Sequence, residues 1–349
     1  MALAPYPWLE DAARTLAEMR VRLPNAVLVY GPPGIGLYKL AFAFAQSLLC
    51  ENPKPDGEAC GECSACALMK AGTHPDCRQV LSEFMCAEHE VPYVAAENER
   101  PEAKKRLSRE IRIHQIRALA DFLGMNANRG GRRVVVVYPA DAVRAEAASA
   151  LLKSMEEPPE GLVYVLACEN IDAVLPTIRS RSRLLRVPMP PKETALDYLR
   201  GLGVPEPERA LALAGGAPLE AACGAAGLRL DPEMEKRVLE LLARGGRLTP
   251  DDIVRGAAPD LSVPAFALLL SRWTNDLVRV KLGAHPLYFI HEGRTLEGLA
   301  AATTTAKLFA FLDAVRDVRR AEDHPLNVRL VWEQILLKYA ALFAAPRRG

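Results

Sequence analysis

Residues 26–36 read AVLVYGPPGIG, a short apolar run that leads directly into a glycine-rich turn. Apolar residues continue at helical spacing over 40–49, so this stretch predicts a buried strand, a tight loop and a helix. Two more apolar runs, 134–138 (VVVVY) and 162–167 (LVYVLA), are typical of strands that are covered on both faces. A helix is predicted between them over 144–157, where two prolines end an alanine-rich segment. This alternation of strand and helix predicts an α/β fold with a parallel sheet and helices on both faces.

The pattern changes after the prolines at positions 188, 190 and 191, which predict a linker. Beyond them we find no convincing strand pattern, and the longer segments carry apolar residues at helical spacing. The sequence therefore predicts three domains. These are an α/β domain over 1–187, a small helical domain over 188–228 and a larger helical domain over 229–349.

The composition is that of an ordinary globular protein. Among 349 residues, 44 Lys and Arg balance 43 Asp and Glu, and 50% of the residues are hydrophobic. That balance excludes a disordered polyelectrolyte and a protein that binds DNA by bulk charge. Charged residues near the start argue against a signal peptide, and no apolar run approaches the roughly 18 residues of a membrane span. We therefore expect a cytoplasmic protein whose cysteines are thiols or metal ligands.

The local charge is uneven. Residues 83–99 contain five glutamates and no Lys or Arg, and residues 100–133 contain ten Lys and Arg against three acidic residues. The basic side chains are those of Arg100, Lys104, Lys105, Arg106, Arg109, Arg112, Arg117, Arg129, Arg132 and Arg133. A solvated loop and an exposed helix face are the favoured interpretation, and contact with a phosphate backbone is the alternative. The role of this charged insertion over 83–110 stays open.

Four cysteines, Cys50, Cys60, Cys63 and Cys66, have the spacing C-x9-C-x2-C-x2-C, which favours a metal site over four unrelated thiols. A two-residue gap lets a tight turn direct two thiolates at one ion, and structural Zn²⁺ takes four such ligands in a tetrahedron. Because the ligand set is complete without water, we predict a structural zinc held by an insertion over 50–66. The other four cysteines lack this spacing and are interpreted as small apolar residues.

The glycine-rich turn keeps the glycines of a phosphate-binding loop, which are Gly31, Gly34 and Gly36. A working loop reads G-x-x-x-x-G-K-[ST], in which the lysine reaches the phosphates and the hydroxyl holds Mg²⁺. Leu37 and Tyr38 stand at those two positions, and Lys39 comes too late. The strand at 134–138 also ends without the Asp-Glu pair that would hold Mg²⁺ and orient water. The glycines still permit a backbone nest, but productive ATP binding is not expected.

Arginine recurs in residues 178–183 (IRSRSR), which follow the third predicted strand at the edge of the α/β domain. By spacing alone, we favour exposed arginines at a domain edge. The alternative is an arginine that reaches a neighbour's nucleotide and offsets the charge developing on its γ-phosphate.

In these segments the chain resembles the delta-prime subunits of bacterial DNA polymerase III clamp loaders. The resemblance runs in order over about the first 190 residues, and beyond them only the helical layout is similar. It rests on Tyr6-Pro-Trp8, LLC at 48–50, CGECSAC at 60–66, GTHPD at 72–76, ALLKSMEEPP at 150–159 and TIRSRSR at 177–183.

The resemblance implies an AAA+ module, formed by the α/β domain and a small helical lid, and a helical collar that assembles into a hetero-oligomeric ring. It implies a zinc ion on the first domain and a subunit that does not hydrolyse ATP. Such a subunit joins gamma/tau and delta subunits to load the sliding clamp onto primed DNA, within a DNA-directed DNA polymerase. Ser180, Arg181 and Ser182 then match the Ser-Arg-Cys motif, although cysteine is usual at the third position. Arg181 becomes the arginine finger for ATP bound by an adjacent subunit.

Two other functions stay open. An active AAA+ ATPase would use Lys39 in place of the missing lysine. A stand-alone, zinc-dependent nucleic-acid-binding protein would bind DNA through Lys104, Lys105 and Arg106. Magnesium-dependent ATP hydrolysis by the purified chain would favour the first, and salt-dependent DNA binding without partners would favour the second.

Overall fold

The structure is a computed structural model that describes residues 4–95, 107–129, 131–223, 232–256, 263–320 and 328–344. It divides into two compact units, Met1–Pro191 and Lys192–Gly349. The first unit contains the sheet and the second is helical, as the sequence predicts.

A parallel five-stranded sheet forms the centre of the first unit, with the strand order β2-β3-β4-β1-β5. Every pairing is parallel. The strands are β1 (Ala26–Tyr30), β2 (Cys77–Leu81), β3 (Arg133–Tyr138), β4 (Leu162–Cys168) and β5 (Arg183–Arg186). The β3 and β4 strands are buried at every position, as their unbroken apolar runs require, whereas the edge strand β5 is mostly exposed.

Helices cover both faces of this sheet. They are α1 (Glu10–Met19), α2 (Leu37–Leu49), α3 (Ser64–Lys70), α4 (Glu83–Glu88), α5 (Ile113–Arg117), α6 (Ala120–Gly124), α7 (Ala145–Glu156) and α8 (Pro176–Ser180). Val135 and Val137 lie in one apolar cluster with residues of α5, α7 and α8, and successive strand residues point to opposite faces. The α2 helix is outside that cluster and packs against β3 and β4. The predicted α/β fold class is therefore confirmed.

The second unit consists of helices among its described residues. They are α9 (Lys192–Gly201), α10 (Pro207–Leu213), α11 (Pro218–Ala222), α12 (Pro232–Ala243), α13 (Pro250–Gly256), α14 (Val263–Lys281), α15 (Gly293–Ala301), α16 (Thr305–Arg320) and α17 (Val328–Ala341). Short 3-10 turns span Pro7–Leu9, Ala140–Ala142 and Ile171–Ala173 in the first unit and Gly245–Arg247 in the second. At its centre, Trp273 Nε1 donates to the Tyr339 hydroxyl at 2.9 Å, and that hydroxyl donates to the Leu242 carbonyl at 2.8 Å.

One apolar core runs through this second unit from α9 to α17. Ala195 and Leu211 belong to the same cluster as Trp273 and Trp332, so the cluster crosses the predicted boundary between residues 228 and 229. That boundary falls in 224–231, outside the described residues. A separate lid and collar stay a prediction.

No single helix in the described ranges is long and apolar enough to cross a membrane. The consecutive pair Gly293–Ala301 and Thr305–Val318 reaches the required length and composition together, across a bend of 111°.

Candidate functional site

The four predicted metal ligands meet at the end of α2 and the start of α3. Cys50 follows the last residue of α2 with an extended backbone, and Cys63 is the N-cap of α3, in whose first turn Cys66 lies. Gly61 has a φ of 81°, the left-handed conformation that lets the chain turn sharply between Cys60 and Cys63. The loop and the helix start therefore direct all four sulfurs to one place.

The sulfur geometry fits one tetrahedral ion. All four Sγ atoms lie within 4.8 Å of one another, and three of the distances are 3.5 Å (Cys50–Cys60), 3.9 Å (Cys50–Cys63) and 4.0 Å (Cys60–Cys66). A tetrahedron of Zn–S bonds of ~2.3 Å has S···S edges of about 3.8 Å, close to all three. Cys50, Cys60, Cys63 and Cys66 could therefore hold a metal.

Backbone amides prepare these thiols for an ion. The amide of Cys60 donates to Cys50 Sγ at 3.3 Å, and that of Cys63 donates to Cys60 Sγ at 3.3 Å. Backbone hydrogen bonds from Glu62 and Cys63 lower the pKa of Cys60 to about 6, whereas burial raises the pKa of Cys66 to about 12. Hydrogen bonds from backbone amides to sulfur favour the thiolate, which is the form that binds a metal.

Arg129 ties the cysteine loop to the sheet. Its guanidinium donates to Glu51 Oε1 at 3.0 Å and to Ser64 Oγ at 2.6 Å, and these residues directly follow Cys50 and Cys63 in the chain. The backbone amides of Asn128 and Arg129 both donate to the carboxylate of the fully buried Asp76 at 2.7 Å. Asp76 precedes β2, so the loop is held against the α/β unit rather than projecting from it. No local pattern indicates the contacts of Arg129 with Glu51 and Ser64, because they join segments that are distant in sequence.

The glycine-rich turn contains two glycines with a left-handed backbone. Gly34 and Gly36 have φ values of 71° and 92°, and Gly36 is the N-cap of α2. Gly31 is required for packing, because a Cβ at this position would lie 2.4 Å from the Val187 carbonyl oxygen. Trp8 Nε1 donates to the Ile35 carbonyl at 2.9 Å and so covers the loop.

Leu37 and Tyr38, which stand where a working loop has its lysine and hydroxyl, are buried apolar and aromatic side chains. Leu37 is only 3% exposed. Lys39 lies roughly 200° further around α2. Its ammonium is 5.4 Å from the ring centroid of Tyr6. This contact gives no support to Lys39 as a replacement for the missing lysine.

Two tyrosines occupy the positions at which a working ATPase carries its Mg²⁺ ligands. The hydroxyl of Tyr38 donates to Gln79 Oε1 at 2.6 Å, and that of Tyr138, the last residue of β3, donates to Glu169 Oε1 at 2.8 Å. Their ring centroids are 5.5 Å apart, and burial raises the pKa of both hydroxyls. Neutral phenols are poor ligands for a hard divalent cation, which prefers carboxylates and water.

Arg181 lies on the surface at the end of α8. One terminal nitrogen of its guanidinium is 2.6 Å from Glu156 Oε1, at the end of α7, and the other donates to the Thr177 carbonyl at 3.3 Å. The hydroxyls of Ser180 and Ser182 donate to backbone carbonyls of Thr177 and Ile178 at 3.0 and 2.8 Å. The two serines thus shape the helix end, and the arginine is the exposed charged group of the motif.

Part of the basic stretch is engaged within the chain. The guanidinium of Arg109 lies 4.2 Å from the ring centroid of Phe84, and buried Arg133 donates to the Phe122 carbonyl at 2.7 Å. Arg100, Lys104, Lys105 and Arg106 lie outside the described residues, as do Glu97 and Glu99.

Comparison with known proteins identifies relatives that match a large part of the chain. A family model described as "DNA polymerase III, delta subunit" matches residues 11–191. The chain is 40% identical over 220 residues to DNA polymerase III subunit delta' of Pseudomonas aeruginosa, a match that covers 62% of this chain and 60% of that protein. It is 34% identical over 196 residues to the same subunit of Escherichia coli, covering 56% and 52% respectively. The matches thus span between half and 60% of the relatives' length.

The solved structures that align with this chain are more distant. A DNA polymerase III gamma-subunit-related protein of Thermotoga maritima aligns with a TM-score of 0.43 at 20% identity, over 96% of this chain and 99% of that chain. RuvB of the same organism aligns with a TM-score of 0.37 at 13% identity, over 84% and 87%. At these values the structures add no argument about function.

Proposed function

Because this chain belongs to the DNA polymerase III delta-subunit family, whose model matches more than half of its length, we propose that it is a delta-prime-type subunit of a clamp loader. In this role it does not hydrolyse ATP. It joins gamma/tau and delta subunits in a ring, supports loading of the sliding clamp onto primed DNA, and supplies an arginine finger to a neighbouring ATPase subunit.

The observation that carries this proposal is the contrast between the backbone and the side chains of the loop. The turn keeps the glycines of a phosphate-binding loop, Gly31, Gly34 and Gly36, and two of them have a left-handed backbone. Leu37 and Tyr38, however, bury apolar and aromatic groups where a lysine and a hydroxyl would act. A chain that keeps the shape and lacks the cation has no means of neutralising a triphosphate by itself.

Arg181 supports the second part of the proposal. Its ion pair with Glu156 joins two exposed side chains, which are 38% and 48% accessible. Exposed pairs of this kind are worth only about 0–1 kcal/mol. Arg181 can therefore leave Glu156 at little cost and turn to the more highly charged γ-phosphate of a neighbour, for which a guanidinium is well suited.

The cysteine site completes the proposal as a structural zinc centre. Four cysteines and no histidine favour Zn²⁺ over harder cations, and a closed four-sulfur set leaves no position for a substrate. Zinc would supply a crosslink between the end of α2 and the start of α3. The tie from Arg129 to Glu51 and Ser64 would then transmit that rigidity to the sheet.

A reconstitution assay tests the role. The purified chain alone should show no magnesium-dependent ATP turnover, whereas its addition to gamma/tau, delta, clamp and primed DNA should raise the turnover of the complex. Turnover by the chain alone that Lys39→Ala abolishes would instead favour an active ATPase. Equal turnover of the complex with and without this chain would contradict the proposal.

A further inference from the structure

The charged insertion over 83–110 contains a helix that is fixed at its start. Ser82 caps α4 by accepting the amide of Met85 at 3.3 Å. The amide of Phe84 donates to the Ser108 carbonyl at 3.0 Å, and the amide of Ser108 donates to Glu83 Oε2 at 2.9 Å. Reciprocal bonds between 83–84 and 108 therefore hold α4 against the returning chain.

His89 lies at the other end of this helix. Its amide donates to the Met85 carbonyl at 3.0 Å, and Glu90 follows with a φ of 56°, which ends the helix. The imidazole stacks on the ring of Tyr38, with centroids 4.1 Å apart and planes 25° apart. Burial lowers the pKa of His89, so the ring is neutral at physiological pH. The insertion thus delivers an uncharged imidazole to the first turn of α2.

A third ring closes the group. The Tyr138 centroid lies 5.5 Å from that of Tyr38 and 6.2 Å from that of His89. We call His89, Tyr38 and Tyr138 the ring cluster. Its two phenols are anchored from opposite sides, by Gln79 on β2 and by Glu169 after β4. Both tyrosines are less than 10% exposed, so the rings are packed rather than mobile at the surface.

The ring cluster lies where a working loop would bind Mg²⁺. In a working loop, the residue at position 38 holds Mg²⁺ through its hydroxyl, and an acid at the end of the neighbouring strand completes the site. Tyr38 and Tyr138 stand at those two places, and His89 stacks beside them. Mg²⁺ needs oxygen ligands and several waters at ~2.1 Å in an octahedron. The two phenol hydroxyls already donate to Gln79 and Glu169, and the packed rings stand where further ligands and waters would have to lie.

We propose that the ring cluster, completed by His89 from the charged insertion, is a plug that excludes a divalent cation–nucleoside triphosphate from the loop. This exclusion is a second block, independent of the missing lysine. It rests on the proposed function and deepens it, because it gives the insertion over 83–90 the role of closing the degenerate site. Restoring the lysine at position 37 alone would therefore not restore binding.

The test compares two full-length variants that differ only at position 89. The first is Leu37→Lys, which restores the lysine and keeps all three rings of the cluster, and the second adds His89→Ala. Binding of a fluorescent, non-hydrolysable ATP analogue is measured by anisotropy with and without Mg²⁺. We expect the added His89→Ala to tighten Mg²⁺-dependent binding by about 10-fold or more, because the nucleotide no longer has to displace the imidazole. A 10-fold change in Kd corresponds to about 1.4 kcal/mol of binding free energy. His89→Phe in the same background keeps a ring and should leave binding weak.

Equal affinity of the two variants, whether both bind or neither binds, would overturn the plug. If the restored loop does not fold, the single His89→Ala variant decides instead. Nitration by tetranitromethane, read by peptide mass spectrometry, should then rise at Tyr38 and Tyr138 but not at Tyr164, which is buried in β4. Unchanged protection of both tyrosines would contradict the proposal. Neither result depends on partner subunits, so the plug can fail while the clamp-loader role stands.

Discussion

The guanidinium of Arg181 lies 2.6 Å from the carboxylate of Glu156, which joins the end of α8 to the end of α7 on an exposed edge of the α/β unit. Sequence spacing alone favoured a set of solvated arginines here. The ion pair gives this arginine a defined resting position, and its exposure leaves it free to exchange that partner for a stronger anion. The Glu156 contact is long-range in sequence, so no local pattern could have indicated it.

Metal content follows from the cysteine cluster. The purified chain should carry about one equivalent of zinc, and Cys63→Ser should lose it, because three sulfurs cannot close the tetrahedron. Since metal binding and folding of such a loop are coupled, the variant should also unfold at a lower temperature. Metal analysis and thermal unfolding measure both effects. Cys223→Ser, an exposed thiol outside the cluster, is the matched control and should change neither.

Gln46 should support the metal ligands from α2. Its side chain is 1% exposed, and its amide nitrogen has no conventional hydrogen-bond partner in the described part of the chain. Burial raises the pKa of Cys66, and the neighbouring Gln46 side chain opposes that rise. A metal-bound Cys66 thiolate would give the amide an acceptor, so Gln46→Leu should weaken metal affinity by about 10–100-fold.

Competition with a chromophoric chelator measures that affinity, and the thiolate-to-metal band of the Co²⁺-substituted protein reports the ligand environment. Ser47→Ala is the matched control, because this adjacent buried hydroxyl donates to the Phe44 carbonyl instead. Equal chelator competition by Gln46→Leu and wild type would remove Gln46 from the site.

Gly31 should tolerate no side chain. Its Cβ would lie 2.4 Å from the Val187 carbonyl oxygen, which is backbone and cannot move aside cheaply. Gly31→Ala should therefore lower the free energy of unfolding by about 1–3 kcal/mol, measured by urea denaturation. Gly124→Ala is the control, since nothing lies within 4 Å of that Cβ. A stable Gly31→Ala protein would mean that the loop and the β5 end are not packed as described.

The stability of the α/β unit should depend on pH through His89. Burial lowers its pKa below the ordinary 6.5, so the unfolded chain binds the proton more readily. The stability that His89 contributes is therefore present above about pH 6.5 and is lost as the pH falls below it. His89→Phe keeps a ring and removes the titration, so it should lose less stability than wild type between about pH 7.5 and pH 5.5. Urea denaturation at both pH values checks this, and a steeper loss in the variant would be the wrong sign.

The central strands and the clustering of the four cysteines were predictable because their signals are local. Continuous apolar runs mark β3 and β4, and the cysteine spacing marks a metal site without any knowledge of the fold. The edge strands were missed for the same physical reason. The two edge strands, β2 and β5, are only partly buried and carry polar residues. Their composition therefore resembles that of a loop.

The ring cluster combines residues that the motif marks with one residue that it does not. The replacement of lysine and hydroxyl by Leu37 and Tyr38 was evident from the motif. That His89, some fifty residues away, would stack on Tyr38 depends on the path of α4 and on its bonds to Ser108. Such contacts arise from tertiary packing, and a single sequence holds no periodic signal for them.

Steady-state ATPase activity of the reconstituted complex, with Arg181→Ala in this chain, tests the central claim most directly. An arginine finger is worth about 10³-fold or more at the site it serves. Arg181→Ala should therefore silence that site and lower clamp- and DNA-stimulated turnover, while the ring still assembles. Arg179→Ala, a neighbouring arginine that lies 3.8 Å from Asp172, is the matched control and should retain turnover. Equal turnover of the two variant complexes and wild type would contradict the account.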